Sequence, residues 1–205
     1  MVKNQLNPAF NEEELKKLGG SKYQLVMKPD ASGNLEPHML GRPGSYGVTY
    51  KYFEKDLEQH VAIKVSLNGK TRDLKDEARK LNDIGQNCSN IVDVKTTVES
   101  EKLNGFVMEL CKYDLGKVIK ILPPEEVIFY GIGLANALVH GTEQNKKKPI
   151  IHRDIKPGNI LIGEDGEVKL CDYGIAVHTD KRETPLGSLP YMAPEQFERD
   201  FPDVT

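Results

Sequence analysis

The sequence predicts an α+β fold with two lobes. Strand-like runs and an amphipathic helix fill most of the chain up to Leu110, which favours a mostly antiparallel sheet. After Leu110 helical patterns dominate, which favours a helical second lobe. We therefore place the lobe junction near residues 110–112. The expected divisions are an extension with a short helix at 1–21, a first lobe at 22–110 and a second lobe at 111–205.

The composition excludes several classes of protein. Hydrophobic residues make up 38% of the 205 residues, and the 18 glycines raise this share to about 47%, which is typical of globular proteins rather than disordered or fibrous ones. Its 28 basic and 31 acidic side chains nearly cancel, so the charge does not favour binding to nucleic acid or to a membrane surface. Three widely spaced cysteines form no CxxC pair and no zinc pattern. This favours a cytoplasmic location.

No membrane span and no secretion signal are expected. The N-terminus has no apolar core of signal-peptide length. The most apolar stretch, from Val127 to Val139, is shorter than the ~20 residues of a membrane span and contains Asn136. We interpret it as a buried helix that opens at Pro123-Pro124-Glu125-Glu126 and runs to about Gly141.

Most other elements have a local signal. Asn11 with Glu14 three residues later predicts a helix start in which the two residues cap each other's amides, and Gly19-Gly20 ends that helix. Apolar residues at helical spacing predict a helix over 72–84, and a short helix is predicted over 113–121. Strands are expected at 23–27, 48–53, 60–66, 91–98, 106–110, 160–162 and 168–170, with a turn at 30–34.

A glycine-rich segment, Gly41-Arg-Pro-Gly-Ser-Tyr-Gly47, lies between two predicted strands. Glycines there allow the backbone to approach a phosphate group and to direct its N–H groups at it. A glycine-rich hairpin without a ligand is the alternative at this point.

A lysine interrupts the apolar run Val61-Ala-Ile-Lys64. A buried lysine is costly unless its charge is paired, and Glu77 on the following helix is the natural partner. The alternative is a lysine whose stem is buried and whose ammonium group reaches solvent.

The segment His152-Arg-Asp-Ile-Lys-Pro-Gly-Asn159 places an acid, a base and an amide within a short loop. Asp154 could receive a hydroxyl proton, and Lys156 could neutralise a phosphate in transfer. Asn159 and Asp172, which opens the triplet Asp172-Tyr-Gly, could share a magnesium ion because hard cations prefer oxygen ligands. A polar loop without chemistry is the alternative for this segment.

Together these motifs resemble the eukaryotic-type (Hanks-type) serine/threonine protein kinases. The resemblance rests on the order of the glycine-rich loop, VAIK, HRDIKPGN, DYG and Ala193-Pro-Glu195, and it covers the chain from about Tyr23 to its end. Lys156 and the segment that begins Gly187-Ser188 are similar to serine/threonine kinases rather than tyrosine kinases.

The resemblance implies roles for individual residues. Lys64 would bind the α- and β-phosphates of ATP and pair with Glu77, while Asp154 would be the catalytic base and Lys156 would contact the γ-phosphate. Asn159 and Asp172 would bind Mg²⁺. Further ATP-binding residues would be Leu40, Gly41, Gly44, Ser45, Tyr46, Gly47, Val48, Ala62, the gatekeeper Met108, Glu109, Cys111 and Leu161. A stacked internal spine would contain Leu81, Val94, His152 and Tyr173.

The chain departs from the family pattern at several positions. Arg42 stands where the first glycine of the loop is usual, Thr49 stands where a valine is usual, and Tyr173 replaces phenylalanine. At Asp203 the next large helix of the family would open, so we expect the second lobe to be incomplete. A partner or a second copy of the chain would then cover the apolar face left open.

The resemblance also implies regulation by phosphorylation. In the family, an arginine at the position of Arg153 can pair with a phosphate on the activation segment. We expect Thr184 to be the phosphorylated residue, with Thr179 as the second candidate. The alternative is that Thr184 is an ordinary loop residue.

The expected function is ATP- and Mg²⁺-dependent phosphorylation of serine and threonine hydroxyls in protein substrates. One alternative is a kinase-like binding or scaffold module without turnover, favoured by the incomplete second lobe. The presence of Lys64, Glu77, Asp154, Asn159 and Asp172 argues against it. A small-molecule kinase is a third reading, which Arg153 and the Ala193-Pro-Glu195 triplet disfavour.

Overall fold

A computed structural model describes residues 10–41, 43, 47–66, 71–143, 149–178 and 187–196. The chain divides into two compact units, the first formed by Met1–Ala78 with Val94–Leu110 and the second by Arg79–Asp93 with Cys111–Thr205.

The first unit is built on an antiparallel sheet, as the sequence predicts. Its strands follow the order β1-β5-β6-β8-β7, and β4 pairs with β5 beside β1. The elements in chain order are α1 (Glu12–Gly19), β1 (Tyr23–Leu25), β2 (Met27–Pro29), β3 (Leu35–Pro37), β4 (Met39–Leu40), β5 (Gly47–Glu54), β6 (Gln59–Ser66), β7 (Val94–Glu99) and β8 (Asn104–Glu109).

The single strand predicted at 23–27 is wrong, because the chain leaves the main sheet after β1. Strand β2 pairs with β3 as a separate hairpin. The predicted turn at 30–34 joins the two strands, and Asp30 Oδ1 closes it by accepting hydrogen bonds from the backbone N–H groups of Ser32 and Asn34 at 2.8 and 2.9 Å. This turn brings the chain back, so that β4 resumes pairing with β5.

The N-terminal helix α1 is part of the core of the first unit. Asn11 caps it, with Oδ1 accepting from Glu14 N at 2.8 Å, and the N–H of Gly20 bonds to Lys17 O at its other end. Leu15 and Leu18 join the apolar cluster beneath the sheet. The helix is also fixed by the fully buried Tyr52, whose hydroxyl donates to the carbonyl oxygen of Leu15 at 2.9 Å.

Helix α2 (Thr71–Gly85) confirms the prediction from helical spacing. Its apolar stripe, formed by Leu74, Ala78, Leu81 and Ile84, is buried. The boundary between the two units falls within this helix, after Ala78.

The second unit combines one long helix with short strands. Strands β12, β11 and β9 form one small sheet, and β10 pairs with β13. Its helix and strands are β9 (Tyr113–Asp114), α3 (Pro124–Glu143), β10 (Ile150–Ile151), β11 (Ile160–Ile162), β12 (Val168–Leu170) and β13 (Val177–His178).

Two predicted boundaries are corrected in this region. Instead of a helix over 113–121, Tyr113 and Asp114 pair with β11, and only a 3₁₀ turn follows at Leu115–Lys117. The turn contains Gly116, a poor helix former, so strand pairing prevails over helical propensity. The strand predicted from residue 91 begins at Val94, because Ile91 instead bridges to Leu170 of β12.

Helix α3 is buried on one side only, which corrects the expectation of a buried helix. Tyr130, Gly133, Ala137 and Gly141 are buried, and the helix packs against β12 and β10. Gly133 permits this approach, since a Cβ there would lie 3.1 Å from Val168 Cβ. The large apolar side chains that α3 exposes are Val127, Ile128, Phe129, Ile132 and Val139. Across the described ranges, no helix has the length and apolar character needed to cross a membrane.

Candidate active site

Lys64 and Glu77 form a buried ion pair in the first unit. Lys64 lies on β6 between β5 and β8, and its Nζ donates to both carboxylate oxygens of Glu77, at 2.7 and 2.9 Å. The two residues are only 8% and 1% exposed. Such burial is tolerated because each charge is compensated by the other. The pairing predicted from the sequence is confirmed, and the alternative of an ammonium group reaching solvent is wrong.

The described part of the glycine-rich segment shows why glycine is required at two positions. Gly41 has φ +74°, in the left-handed region. At Gly47 a Cβ would lie 2.6 Å from the carbonyl oxygen of Val65 on the neighbouring strand. The flanking residues Leu40 and Val48 lie on β4 and β5.

Several sequence-based predictions fall outside the described residues. These concern Arg42, Gly44, Ser45 and Tyr46 of the glycine-rich segment, the phosphorylation candidates Thr179 and Thr184, and the helix start at Asp203.

The predicted adenine-binding residues belong to both units. In the first unit, Ala62 on β6 lies opposite Met108 on β8, and both are buried. Glu109 ends β8. In the second unit, Cys111 precedes β9 and Leu161 lies at the centre of β11, both half-buried.

The loop at 152–159 is organised by His152, which is 2% exposed. Its Nε2 lies 2.9 Å from the carbonyl oxygen of Cys171, and its Nδ1 accepts from Asp154 N at 3.2 Å. This pattern requires a neutral imidazole with its proton on Nε2. Burial lowers the pKa of His152 and favours the same neutral form. The ring also packs edge-on against Tyr173, with centroids 4.4 Å apart.

Of the residues predicted to form the internal spine, His152 and Tyr173 contact each other in the second unit. Tyr173 is 1% exposed, and Leu81 is buried in the same unit. Val94, the remaining predicted member, belongs to the first unit and is half-buried.

Asp154 is held by one of its two carboxylate oxygens. Oδ2 accepts from Lys156 Nζ at 2.6 Å and from Asn159 Nδ2 at 3.0 Å. Oδ1 is buried and has no hydrogen-bond partner among the described residues. A buried carboxylate oxygen normally accepts a hydrogen bond, so Oδ1 is available to accept one from a ligand.

The two ends of the Asn159 side-chain amide have different roles. Its Nδ2 donates to the carbonyl oxygen of Asp154 at 2.8 Å as well as to the carboxylate. Because both amide hydrogens are used, Oδ1 is the atom that can meet a cation. The backbone of Asn159 accepts from Cys171 N at 3.0 Å, which brings the residue next to Asp172. Amide and carboxylate oxygens are ligands that Mg²⁺ prefers, so the donor types of Asn159 and Asp172 fit the ion.

Two residues of the candidate site have an unusual backbone conformation. Arg153 and Asp172 have φ of +65° and +63°, a region that side chains other than glycine seldom adopt. Such conformations persist where the surroundings hold them, and they concentrate at functional sites. Arg153 is held in part by its Nε, which donates to the carbonyl oxygen of Ile175 at 2.8 Å.

Three contacts of this region were not predicted from the sequence. Lys80 Nζ donates to the carbonyl oxygen of Ala176, and Lys156 Nζ donates to Ser188 Oγ at 2.9 Å. The side chain of Gln196 bonds to the backbone of Arg153. The sequence signal for Ser188 was its place in the segment that begins Gly187-Ser188, which is similar to serine/threonine kinases. Lys80 and Gln196 carried no signal, because their acceptors are backbone carbonyls distant in sequence.

Comparisons with known proteins show the family of this chain. A family model of the protein kinase domain matches residues 36–201. A probable serine/threonine-protein kinase of Clostridium perfringens is 34% identical over 179 residues, which cover 78% of this chain and 25% of that protein.

Two further relatives are Aurora kinases. The serine/threonine-protein kinase Aurora-2 of Arabidopsis thaliana is 33% identical over 78% of this chain and 58% of its own length. The Aurora kinase of Schizosaccharomyces pombe is 34% identical over 78% of this chain and 47% of its own length. The chain therefore spans between a quarter and three-fifths of the length of these relatives.

Proposed function

Because this chain belongs to the serine/threonine protein kinase family, we propose that it transfers the γ-phosphoryl group of ATP to serine and threonine hydroxyls of protein substrates, with Mg²⁺ as cofactor. The observation that carries the proposal is the carboxylate of Asp154, with Oδ2 fixed by Lys156 and Asn159 and Oδ1 buried without a partner among the described residues.

This geometry suits a group that orients a substrate hydroxyl. The fixed oxygen sets the plane of the carboxylate, and Oδ1 accepts the hydrogen bond of the hydroxyl. As the hydroxyl oxygen bonds to phosphorus and the bond to ADP breaks, the hydroxyl proton passes to Asp154. Positioning and electrostatics of this kind account for most of the catalysis of phosphoryl transfer.

Charged side chains compensate the negative charge of the phosphates. Lys156, which contacts Asp154 and Ser188, neutralises charge on the group in transfer, and Lys64 binds phosphate oxygens while Glu77 holds its ammonium group in place. Asn159 and Asp172 would hold Mg²⁺. The bound ion neutralises charge on the phosphate oxygens.

The proposal includes a cytoplasmic location, supported by three cysteines without a disulfide or zinc pattern in their spacing.

The test separates phosphoryl transfer from nucleotide binding. Transfer of labelled γ-phosphate to casein and the affinity for a fluorescent ATP analogue with Mg²⁺ are measured for the wild type, Asp154→Asn and Asp172→Asn. We expect Asp154→Asn to lower transfer by about 10²–10⁴-fold, the usual contribution of a general base, with nearly unchanged affinity for the analogue. Asp172→Asn should weaken Mg²⁺-dependent binding.

Asp165→Asn provides the control. Asp165 is exposed in the turn between β11 and β12, where its Oδ1 accepts from Glu167 N, a bond that asparagine can also make. It should change neither measurement. Equal loss of nucleotide affinity in Asp154→Asn and Asp172→Asn would overturn the division of roles. A wild-type chain that binds the analogue without transferring phosphate would be a binding module.

A further inference from the structure

The side chain of Gln196 connects two backbone segments of the second unit through both ends of its amide. Its Nε2 donates to the carbonyl oxygen of Arg153 at 2.9 Å, and its Oε1 accepts from Ala193 N at 3.0 Å. Arg153 directly precedes Asp154. A single amide therefore ties the backbone of the 152–159 loop to the segment 187–196, which we call the docking segment.

A second feature converges on the same carbonyl group. Gly187 has φ +144°, and a Cβ there would lie 3.1 Å from the oxygen of Arg153 and 3.3 Å from Gln196 Nε2. These distances are shorter than about nine in ten real Cβ contacts. Together with the positive φ they favour glycine where the docking segment approaches Arg153, and the Gln196 side chain contacts the same carbonyl oxygen.

The docking segment also reaches the proposed base. Ser188 Oγ accepts from Lys156 Nζ at 2.9 Å, and the same ammonium group donates to Asp154 Oδ2 at 2.6 Å. Ser188 is therefore separated from the carboxylate by one ammonium group. A substrate hydroxyl that approaches Asp154 comes to lie beside the docking segment, so the placement of this segment bears on the placement of the substrate.

The junction includes an unusual backbone conformation. Arg153 adopts the left-handed region, with φ +65°, which a long side chain adopts only where neighbouring groups hold it. Its Nε donates to Ile175 O, and its carbonyl oxygen accepts from Gln196. Removing the donor at Gln196 takes away the hydrogen bond to the carbonyl oxygen of Arg153 and leaves the bond of Lys156 to Ser188 in place.

We propose that Gln196 is a positioning residue that fastens the docking segment to the backbone of Arg153 and thereby sets the orientation of the protein substrate at Asp154. The role rests on the proposed kinase function. Gln196 does not touch the reacting atoms, so its effect concerns the protein substrate and leaves nucleotide binding unchanged.

The decisive variant is Gln196→Glu. Glutamate has nearly the same shape and keeps an acceptor for Ala193 N, but it loses the donor to Arg153 O and places a negative charge against that oxygen. We expect kcat/KM for a protein substrate to fall about 10-fold or more, as when a hydrogen bond is replaced by repulsion. Affinity for a fluorescent ATP analogue and hydrolysis of ATP by water without protein substrate should stay within about 2-fold.

Two controls accompany it. Gln24→Glu makes the same chemical change at an exposed position of β1 and should leave all three measurements unchanged. Gly187→Ala disturbs the junction from the other side and should reproduce the selective loss. Combined with Gln196→Glu it should cause less than the product of the two single losses, because both variants break one junction. Gly131→Ala, where a Cβ would meet nothing within 4 Å, controls for the added methyl group.

Other results would overturn the inference. A parallel fall in ATP hydrolysis and protein phosphorylation by Gln196→Glu would show an effect on Asp154 or the nucleotide. A fall of all activities together with the melting temperature would show a general structural role, and unchanged kcat/KM would show no role.

A readout independent of activity separates this inference from the proposed function. If the wild-type chain transfers no phosphate, the kinase proposal fails, and hydrogen exchange still tests the junction. Faster exchange of the 188–193 amides in Gln196→Glu, with unchanged exchange in α3, would support the fastening role. Unchanged exchange in both regions would refute it.

Discussion

The two units differ in how their helices and their buried carboxylates are partnered. In the first unit, α1 closes one side of the apolar cluster, and Lys64 and Glu77 compensate each other. In the second unit, α3 exposes large apolar side chains, and Asp154 Oδ1 is buried without a partner among the described residues. Groups that are satisfied internally stabilise a fold, whereas unsatisfied ones are available to a ligand or another chain. The predictions below test this difference.

The largest effect is expected from the two sides of α3. Ala137 is fully buried, whereas Ala135 is exposed on the same helix. Ala137→Asp places an unpaired charge in the core, which costs several kcal/mol, and should unfold the second unit. Ala135→Asp should cost about 0.7 kcal/mol or less, the difference in helix propensity. Circular dichroism during urea unfolding measures both, and equal losses would show that the two sides do not differ.

The exposed side of α3 provides the converse test. A large exposed apolar patch favours association between molecules, so we expect the 205-residue chain to self-associate. Ile132→Glu with Val139→Glu should reduce light scattering while leaving the helical signal unchanged. Scattering that is the same with and without these substitutions would show that this side of α3 does not mediate association.

A smaller effect is expected from the ion pair of the first unit. Lys64→Met leaves the carboxylate of Glu77, which is 1% exposed, without its compensating charge. Removing one partner of a buried pair costs about 3–5 kcal/mol. The double variant Lys64→Met with Glu77→Leu should recover most of this loss, because no buried charge remains. Urea unfolding measures the free energies.

Lys75 is the matched control on α2. Its Nζ lies 3.4 Å from Glu99, with the two side chains 44% and 67% exposed. Lys75→Met should cost about 1 kcal/mol or less, as for other exposed pairs. If Lys64→Met cost no more than Lys75→Met, burial would not be what makes the first pair important.

The second unit should contribute a pH dependence of stability through His152. Burial lowers the pKa of His152, although its hydrogen bond to Cys171 and the nearby Asp172 and Asp154 oppose this effect. In the unfolded chain the His152 imidazole takes up a proton near pH 6.5, whereas in the folded protein it does so only at lower pH. Stability from the neutral ring is present above about pH 6.5 and is lost as the pH falls toward the lowered value.

The measurement compares melting temperatures at pH 7.5 and 5.5. The wild type should lose more stability on acidification than His152→Gln, whose side chain does not titrate. His140→Gln, near the end of α3, is the control and should keep the wild-type dependence; its Nε2 lies 3.0 Å from the carbonyl oxygen of Gln86. If His152→Gln shows the wild-type slope, other groups cause the acid sensitivity.

The comparison also shows what the sequence could predict. Helix α2 and strand β5 have periodic patterns, and strands β6 and β8 are short apolar runs. The Lys64–Glu77 pair follows from a lysine in an apolar strand. The hairpin β2–β3 and the strand β9 depend on turn chemistry and on pairing with distant strands, which override local propensity. The apolar run of α3 by itself predicts a buried helix, because such a run is the same in sequence whether one side or both are covered. Only the family resemblance, through the incomplete second lobe, predicted an apolar face left open.

The site follows the same rule. The residues of the 152–159 loop are consecutive, so their chemical roles could be predicted from the sequence. That Asp154 would be held through Oδ2 alone depends on where Lys156 and Asn159 direct their donors, which only the folded backbone defines. Gln196 lies 43 residues from its acceptor, and no local pattern connects them.

The smallest effect is expected at the start of α1, where the closed core of the first unit meets solvent. Asn11 Oδ1 accepts from Glu14 N at 2.8 Å, and removal of such a cap costs about 1 kcal/mol. Asn11→Ala should therefore speed hydrogen exchange of the first-turn amides of α1 by about 5-fold, the ratio equivalent to that energy. Asn11→Asp keeps the acceptor and adds a charge favourable at a helix N-terminus, so its exchange should be as slow as in the wild type or slower. Because Leu15 and Leu18 anchor the helix in the core, exchange in β5 and β6 should not change in either variant. Faster exchange throughout the sheet in Asn11→Ala would instead show that the cap supports the whole first unit, and that its core is less self-sufficient than the comparison with the second unit implies.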